Sequence, residues 1–363
     1  MKITYFNQPP SYAKIPDLLA QELNTQALTG EVEIYFPFTS REVDGFINRK
    51  NRQELIAHIE QVKENRPYRV CFSPISVLIV PYTKEMPDFL TDYVDLCLGQ
   101  ESVKRFPRAN YFRLPAWCLR LFGLFPTIDK IKAKITELEA LRKQDPFLRK
   151  EFMGGVINKD TRFFSSGSLK VFTMITDIDP YLKHFKINFA GNYKRNDLRL
   201  EQIYQGDKVA YLQNFTFNLC PEYLNFHAVV SENLAICLEA GCIPVYWGDL
   251  SEDKLYFNEK AMIAYDVTRR MEISEKFREV FLNKDKFLEE NIFTPDAAEL
   301  IFRNIYAPIM AKIELDLDLD LQSYLRDNPQ GERIKHFHKQ MHPQAWPVFI
   351  ENSQTYLEKL KKD

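Results

Sequence analysis

The chain has 363 residues, more than one ordinary hydrophobic core organises, so two domains are expected. Basic and acidic side chains nearly cancel, leaving a formal charge of −2, which gives no general electrostatic case for a nucleic-acid partner. Apolar residues make up 45% of the sequence, enough for two cores, and 12 glycines are too few for an all-β protein built on tight turns.

The first half alternates strand-like and helix-like patterns. Lys2 to Phe6 reads as a short strand, Ala13 to Leu28 as a helix, Val32 to Pro37 as a second strand and Arg52 to Glu64 as a second helix. Tyr68 to Pro81 is largely apolar and rich in β-branched residues, the composition of a central strand covered on both faces. A charged helix follows from Ile128 to Arg142, ended by Asp145-Pro146, because proline pushes the residue before it away from helix. This places a domain boundary near 145–150. A second alternating series follows: strands at Phe152 to Ile157, at the end of Tyr181 to Ala190, at Thr216 to Cys220 and at Ile243 to Trp247, with a helix from Ser231 to Ala240. Phe277 to Glu290 and Pro295 to Lys312 read as helical. Leu315 to Leu321 alternates with period two and fits a strand or a continuation of the preceding helix; its aspartates suit a solvated acidic face better than a metal site. Alternation of this kind predicts an α/β protein with open sheets.

The six cysteines include no C-x-x-C pair and mostly sit in apolar runs, so they read as buried thiols in a reducing compartment. No segment has the form of a signal peptide, and no apolar run approaches the roughly 20 residues that span a bilayer. The expected location is cytoplasmic.

The region from Cys220 to Asp249 carries the strongest local logic. Ser231 is a good N-cap, and Glu232 in the first turn complements the helix dipole. Leu234, Cys237 and Leu238 form an apolar face, Gly241 suits the left-handed position past the helix end, and Ile243 to Trp247 is a buried strand turned sharply by Gly248-Asp249. A loop thus feeds a helix N-terminus that leads into a core strand. Ligands of open α/β sheets bind at the carboxyl ends of strands, and a helix start suits a diphosphate. An ordinary βαβ unit without ligand has the same pattern.

Residues 215–249, FTFNLCPEYLNFHAVVSENLAICLEAGCIPVYWGD, resemble the signature of the α-1,3-fucosyltransferases, glycosyltransferase family 10. That family shows Y-K-F-N-I/L-C-F-E-N, then V/T-T-E-K, then a helix ending A-G-T/C-I-P-I/V-Y-W-G. Phe217 to Cys220, Glu222, Ser231-Glu232 and Ala240 to Gly248 match in order and spacing, and Phe257-Asn258 falls on a further F-N. Upstream, Arg149 to Asn158 with Arg162, and Ile187 to Asn192, are similar to further family motifs. Tyr111 to Pro115 resembles its R-Y-L-R-L/M-P segment, and Thr83 to Phe89 its E-x-P motif. Three departures fall in the donor motif: Tyr223 stands where the family has asparagine, Val229 where it has tyrosine, and Asn233 where it has the lysine of T-E-K.

The resemblance implies a GT-B fold of two Rossmann-like domains facing a cleft: an acceptor domain at 1–148, a donor domain at 149–330 and a C-terminal helical tail at 331–363. It implies inverting transfer of fucose from GDP-fucose to a glycan hydroxyl, with Glu85 as base and Arg162 as the clamp on the diphosphate. Glu232 matches the glutamate that binds donor-sugar hydroxyls. Asn218, Glu222, Tyr223, Ser231 and Asn233 are expected to line the donor site, and Lys194, Arg195 or Lys208 to supply the cation missing at Asn233. Tyr246 and Trp247 read as core, and His227 as a structural or solvated loop residue. No cofactor or metal is expected to be required, although divalent cations assist some family members. Two rivals stay open: another nucleotide-sugar donor, and a glycan-binding protein with weakened catalysis. The tail carries Lys335, Trp346, Phe349, Tyr356, Lys359, Lys361 and Lys362, a basic and aromatic set that suits either peripheral contact with an anionic membrane or a docking helix, while His336, His338 and His342 suit a basic surface segment better than a metal site.

Overall fold

The structure is a computed structural model that describes residues 2–6, 31–36, 49–61, 67–73, 91–106, 108–144, 151–157, 187–192, 195–222, 227–265 and 270–317. They divide into two compact units: residues up to Thr127 together with those from Glu299 onward, and Ile128–Ala298. The expected helix at Ala13 to Leu28 and the tail at 331–363 lie outside the described residues.

The first unit holds five parallel strands in sequential order: β1 (Lys2–Phe6), β2 (Glu31–Tyr35), β3 (Tyr68–Phe72), β4 (Leu96–Gly99) and β5 (Tyr111–Arg113). The apolar strand β3 is central, as its composition predicts. Helices α1 (Arg49–Gln61) and α2 (Ala116–Phe122) belong to this unit. Tyr35, Cys71, Cys97 and Tyr111 pack with Ile59 of α1 in one buried cluster. Beside it, buried Glu33 accepts from Tyr35 Oη at 2.6 Å and Arg69 Nε at 3.0 Å, and His58 Nε2 lies 3.1 Å away. Burial raises the Glu33 carboxyl, but hydrogen bonds from Tyr35, Arg69 and His58 outweigh it and hold the group below its ordinary value.

The second unit begins with α3 (Ile128–Arg142), before the boundary expected near 145–150. The reason is Arg142. Its guanidinium is fully buried and donates to the carbonyls of Ala261 at 2.6 Å and Phe287 at 2.9 Å, contacts with residues more than 100 positions away. At the other end, the helices beyond Ala298 return to the first unit instead of staying in a 149–330 domain. Tyr306 Oη donates to the carbonyls of Cys118 and Gly123 at 3.0 Å each, and Tyr68 Oη donates to Asp316 at 2.9 Å.

Five more parallel strands form the second sheet: β6 (Glu151–Val156), β7 (Ile187–Ala190), β8 (Phe215–Pro221), β9 (Ile243–Trp247) and β10 (Ile263–Ala264), in the order β10-β9-β8-β6-β7. On one side run α4 (Arg199–Gln202), α5 (Lys208–Leu212) and α6 (Glu232–Glu239), burying Leu200, Tyr211, Ile236 and Cys237. On the other, Phe277 and Val280 of α7 (Arg270–Leu282) and Leu288 of α8 (Lys284–Glu289) cover Phe217, Val245 and Ile263. Helices on both faces explain why β8 and β9 are apolar nearly throughout. Pro244 is tolerated because the β10 ladder begins only at Val245, leaving β9 one neighbour at that position. Gly154 is required where β6 approaches β8, since a β-carbon there would lie 2.5 Å from the Phe215 ring.

The amino-terminal edge of this sheet is tied by ions. Arg199 Nη2 donates to Glu151 at 2.9 Å and Nε to Asp197 at 3.0 Å, its guanidinium lies over the rings of Tyr211 and Phe215, and Tyr211 Oη donates to Asp197 at 3.0 Å. Beyond the sheet, α9 (Ala297–Ile301) starts at the end of the second unit, and a π-helical turn (Phe302–Tyr306) and α10 (Ala307–Leu317) follow in the first unit. The π turn precedes Pro308, which has no N–H to continue the regular helical ladder. Leu315 to Leu317 continue α10, settling the strand-or-helix alternative for the described part of that run. None of the six cysteines is in a disulfide and all are buried, as expected.

Candidate functional site

In the first sheet each strand neighbours the next in sequence, so the strand order nowhere reverses. In the second it does: β6 has β7 on one side and β8 on the other. Among the described strands this reversal is the one topological switch point, and the crevice outside such strand ends is where doubly wound sheets take ligands. Arg162, six residues after β6 in the sequence, lies outside the described residues, whereas Glu222 directly after β8, the run from His227 into the next helix, and the residues after β9 are described.

The chain re-enters the sheet through α6. Ser231 is its N-cap, its Oγ accepting from the Asn233 N–H at 3.2 Å, and Ala240 and Gly241 close it, Gly241 with φ of +68°. The entry is fixed by a carboxylate. Glu222, the first residue past β8, is buried, and its Oε1 accepts the Ser231 N–H at 2.8 Å and the Tyr246 hydroxyl at 3.0 Å. Its own N–H donates to the Trp247 carbonyl at 2.7 Å, so the β8 and β9 ends are joined where the helix starts. Burial pushes the Tyr246 phenol well above its ordinary value, and the Glu222 charge adds to this, so the hydroxyl stays protonated as a donor. Gly248 is essential to the packing, because a β-carbon there would lie 2.5 Å from Glu222 Cγ and as close to the Tyr246 phenol.

A second carboxylate stands after β9. Asp249 Oδ2 accepts from the Ala228 N–H at 3.3 Å and lies 3.1 Å from His227 Nδ1, while Oδ1 accepts from the Ser251 N–H at 2.8 Å. Burial raises the Asp249 carboxyl, but bonds from Ser251, Ala228 and His227 prevail and hold it below its ordinary value. Ser251 Oγ and Asp249 both face the same imidazole nitrogen, so the trio lacks the relay geometry of a nucleophile, base and orienting acid.

The sequence-predicted residues fall into three groups. Glu222, Ser231, Glu232 and Asn233 come together at the start of α6. Glu232 extends into solvent, with Lys208 Nζ 3.9 Å from its Oε1, so Lys208, one of the three expected replacement cations, reaches this helix start. Arg195 is elsewhere, paired with Glu201. Asn218 is buried beneath α6, and its Oδ1 has no hydrogen-bond partner. Tyr246 and Trp247 are core residues, as read from the sequence. Glu85, Arg162, Lys194 and Tyr223 lie outside the described residues. In the sequence Gly248 closes the matched motif and Gly248-Asp249 reads as a sharp turn directly after a buried strand, with no further role for Asp249. Among the described residues, no group of histidine, cysteine, aspartate or glutamate side chains could hold a metal ion, and no helix is long and apolar enough to cross a membrane.

The sequence matches no protein-family model and no curated protein sequence. The fold does have solved counterparts. A crystal structure of an α1,3-fucosyltransferase superimposes with a TM-score of 0.57 at 16% identity, over 88% of this chain and 90% of that one. Structures of an α1,3-fucosyltransferase with GDP and with GDP-fucose give TM-scores of 0.52 and 0.55, also at 16% identity, each covering 88% of this chain and 91% of that one. The chain therefore has the two-sheet α/β fold of these enzymes, in agreement with the GT-B expectation.

Proposed function

We propose that this chain is an inverting glycosyltransferase that moves fucose from GDP-fucose onto a glycan hydroxyl, with the diphosphate received at the start of α6. The observation that carries the reading is the built entry to that helix. The Ser231 cap, the Glu222 anchor and the Gly248 clearance lie at the sheet's switch point, in a segment that resembles the fucosyltransferase signature apart from Tyr223, Val229 and Asn233. The shared fold supports the same class, because its solved counterparts include complexes with GDP and GDP-fucose.

In this reading the partial positive charge of the α6 start faces the departing diphosphate. Arg162 contributes a bidentate cation and Glu85 removes the acceptor proton. No cofactor takes part, and a glycan is the second substrate. Such a reaction passes through an oxocarbenium-like state, so leaving-group charge and the base act on one step. Nucleotide release from a panel of sugar donors, with and without acceptor glycans, tests the proposal: GDP-fucose turns over, and Glu85→Ala and Arg162→Ala each lower kcat/KM by about a hundredfold or more. Unaltered turnover in both variants refutes the site assignment.

Asn233 favours keeping a second donor in view. An uncharged side chain at the third residue of the Ser231-Glu232-Asn233 run alters the charge a donor meets, and a different nucleotide sugar turning over faster than GDP-fucose decides for that reading.

A further inference from the structure

We propose that Asp249 is a positioning residue of the donor site, holding Ala228 in a left-handed conformation from which the chain enters α6. The inference rests on the donor-site reading above and assigns a role to a residue outside the matched contacts. Its starting point is backbone strain. Ala228 has a φ of +62°, a region that a residue with a β-carbon seldom adopts, and it is fully buried. Such a conformation persists only where the surroundings over-determine it, and these outliers gather at ligand clamps.

The surroundings here are specific. The Ala228 N–H donates to Asp249 Oδ2, and Asp249 is itself fixed to the end of β9 by the Ser251 N–H on its other oxygen. His227, adjacent to the strained residue, presents Nδ1 to the same Asp249 oxygen at 3.1 Å and Nε2 to Glu252 at 3.7 Å. Three residues after Ala228, the Ser231 N–H is held by Glu222 from β8. The turn Ala228–Ser231 is therefore pinned at both ends by carboxylates, one following each of two adjacent strands. Loss of the Asp249 charge frees one end, and Ala228 relaxes toward its ordinary basin. The entry to α6 then loses its fixed place relative to the crevice. Glycine takes positive φ without steric cost, so Ala228→Gly makes the carboxylate dispensable for this purpose.

The test uses the full chain with Asp249→Asn, Ala228→Gly and the double substitution. Amide hydrogen exchange at 228–234 and GDP affinity by calorimetry are read on each. Asp249→Asn is expected to speed exchange and weaken GDP binding by about tenfold, and adding Ala228→Gly is expected to recover most of both. An ordinary packing role does not produce that rescue. Exchange in Asp249→Asn equal to wild type, or a double variant as loose as the single one, overturns the proposal. If Asp249→Asn does not fold, folding of the double variant supports the strain account and its failure to fold refutes it. A wild-type chain that binds no GDP defeats the donor reading, while the exchange pattern still decides what Asp249 does to the turn.

Discussion

Replacing Gly248 by alanine probes the joint on which the site depends. The added methyl would sit 2.5 Å from Glu222 Cγ and from the phenol carbon of Tyr246, well inside contact distance. Neither neighbour has room to yield, since Tyr246 is 1% and Glu222 3% exposed. Overpacking of this kind costs about 1–3 kcal/mol. Displacing the phenol or the carboxylate also breaks the Tyr246–Glu222 bond, and an unsatisfied buried group costs about 1–3 kcal/mol more. The sum is roughly 2–6 kcal/mol, and for a unit of this size each 1 kcal/mol moves the melting midpoint by about 2–4 °C. Scanning calorimetry on the full chain should thus show the transition of the second unit falling by at least about 4 °C, with weaker GDP binding. A midpoint within about 1 °C of wild type, with GDP affinity unchanged, would refute the packing argument.

Other substitutions test separate parts of the account. Ser231→Ala removes the N-cap bond to Asn233 and should cost about 1 kcal/mol, measured as a shift in denaturant midpoint at constant slope. Arg142→Leu takes the guanidinium donor from the Ala261 and Phe287 carbonyls and should destabilise the second unit by about 3 kcal/mol or more, read by the same scan. Glu33→Gln leaves the buried Arg69 guanidinium without its counter-charge and should cost about 3–5 kcal/mol at neutral pH. Because the folded Glu33 pKa lies below 4.5, its stabilisation is fully present above that value and is lost as pH falls through the folded pKa. The gap between wild type and Glu33→Gln should therefore narrow in unfolding curves taken progressively below pH 4.5, and a gap independent of pH would contradict the assignment.

Much of the frame was legible because the local signals agreed. The helix Ile128–Arg142 has the bounds its periodicity and the following Asp145-Pro146 dictate, and β9 runs from Ile243 to Trp247 as its apolar run implies. Ser231 and Gly241 mark the ends of α6 by chemistry that works within a few residues. The strands Leu96–Gly99, Tyr111–Arg113 and Ile263–Ala264 escaped the reading because they are short, and their pairing to longer neighbours makes them strands. The helix expected across Phe277 to Glu290 breaks at Asn283, whose side chain donates to the Glu279 carbonyl, a local bond with no periodic signature. Domain limits depended on Arg142 and Tyr306, whose partners lie more than 100 residues away.

The site was legible as a segment but less so as a set of contacts. Glu222 belonged to the motif, yet its turn inward to Ser231 depends on where β9 places Tyr246. Asn218 shared the motif too, and strand alternation sends it under α6. Ala228 gave no hint of its left-handed backbone, because alanine carries none of the usual signals for it, and the Asp249 carboxylate that accepts its N–H lies 21 residues further along the chain.

Binding of nucleoside diphosphates to the full chain, titrated as GDP, UDP, CDP and ADP in one buffer, bears most directly on the central claim. The account predicts that GDP binds at least about tenfold more tightly than the others and slows amide exchange at the start of α6. Absence of binding by all four, or GDP binding that leaves Ser231 to Leu234 unprotected, would contradict it.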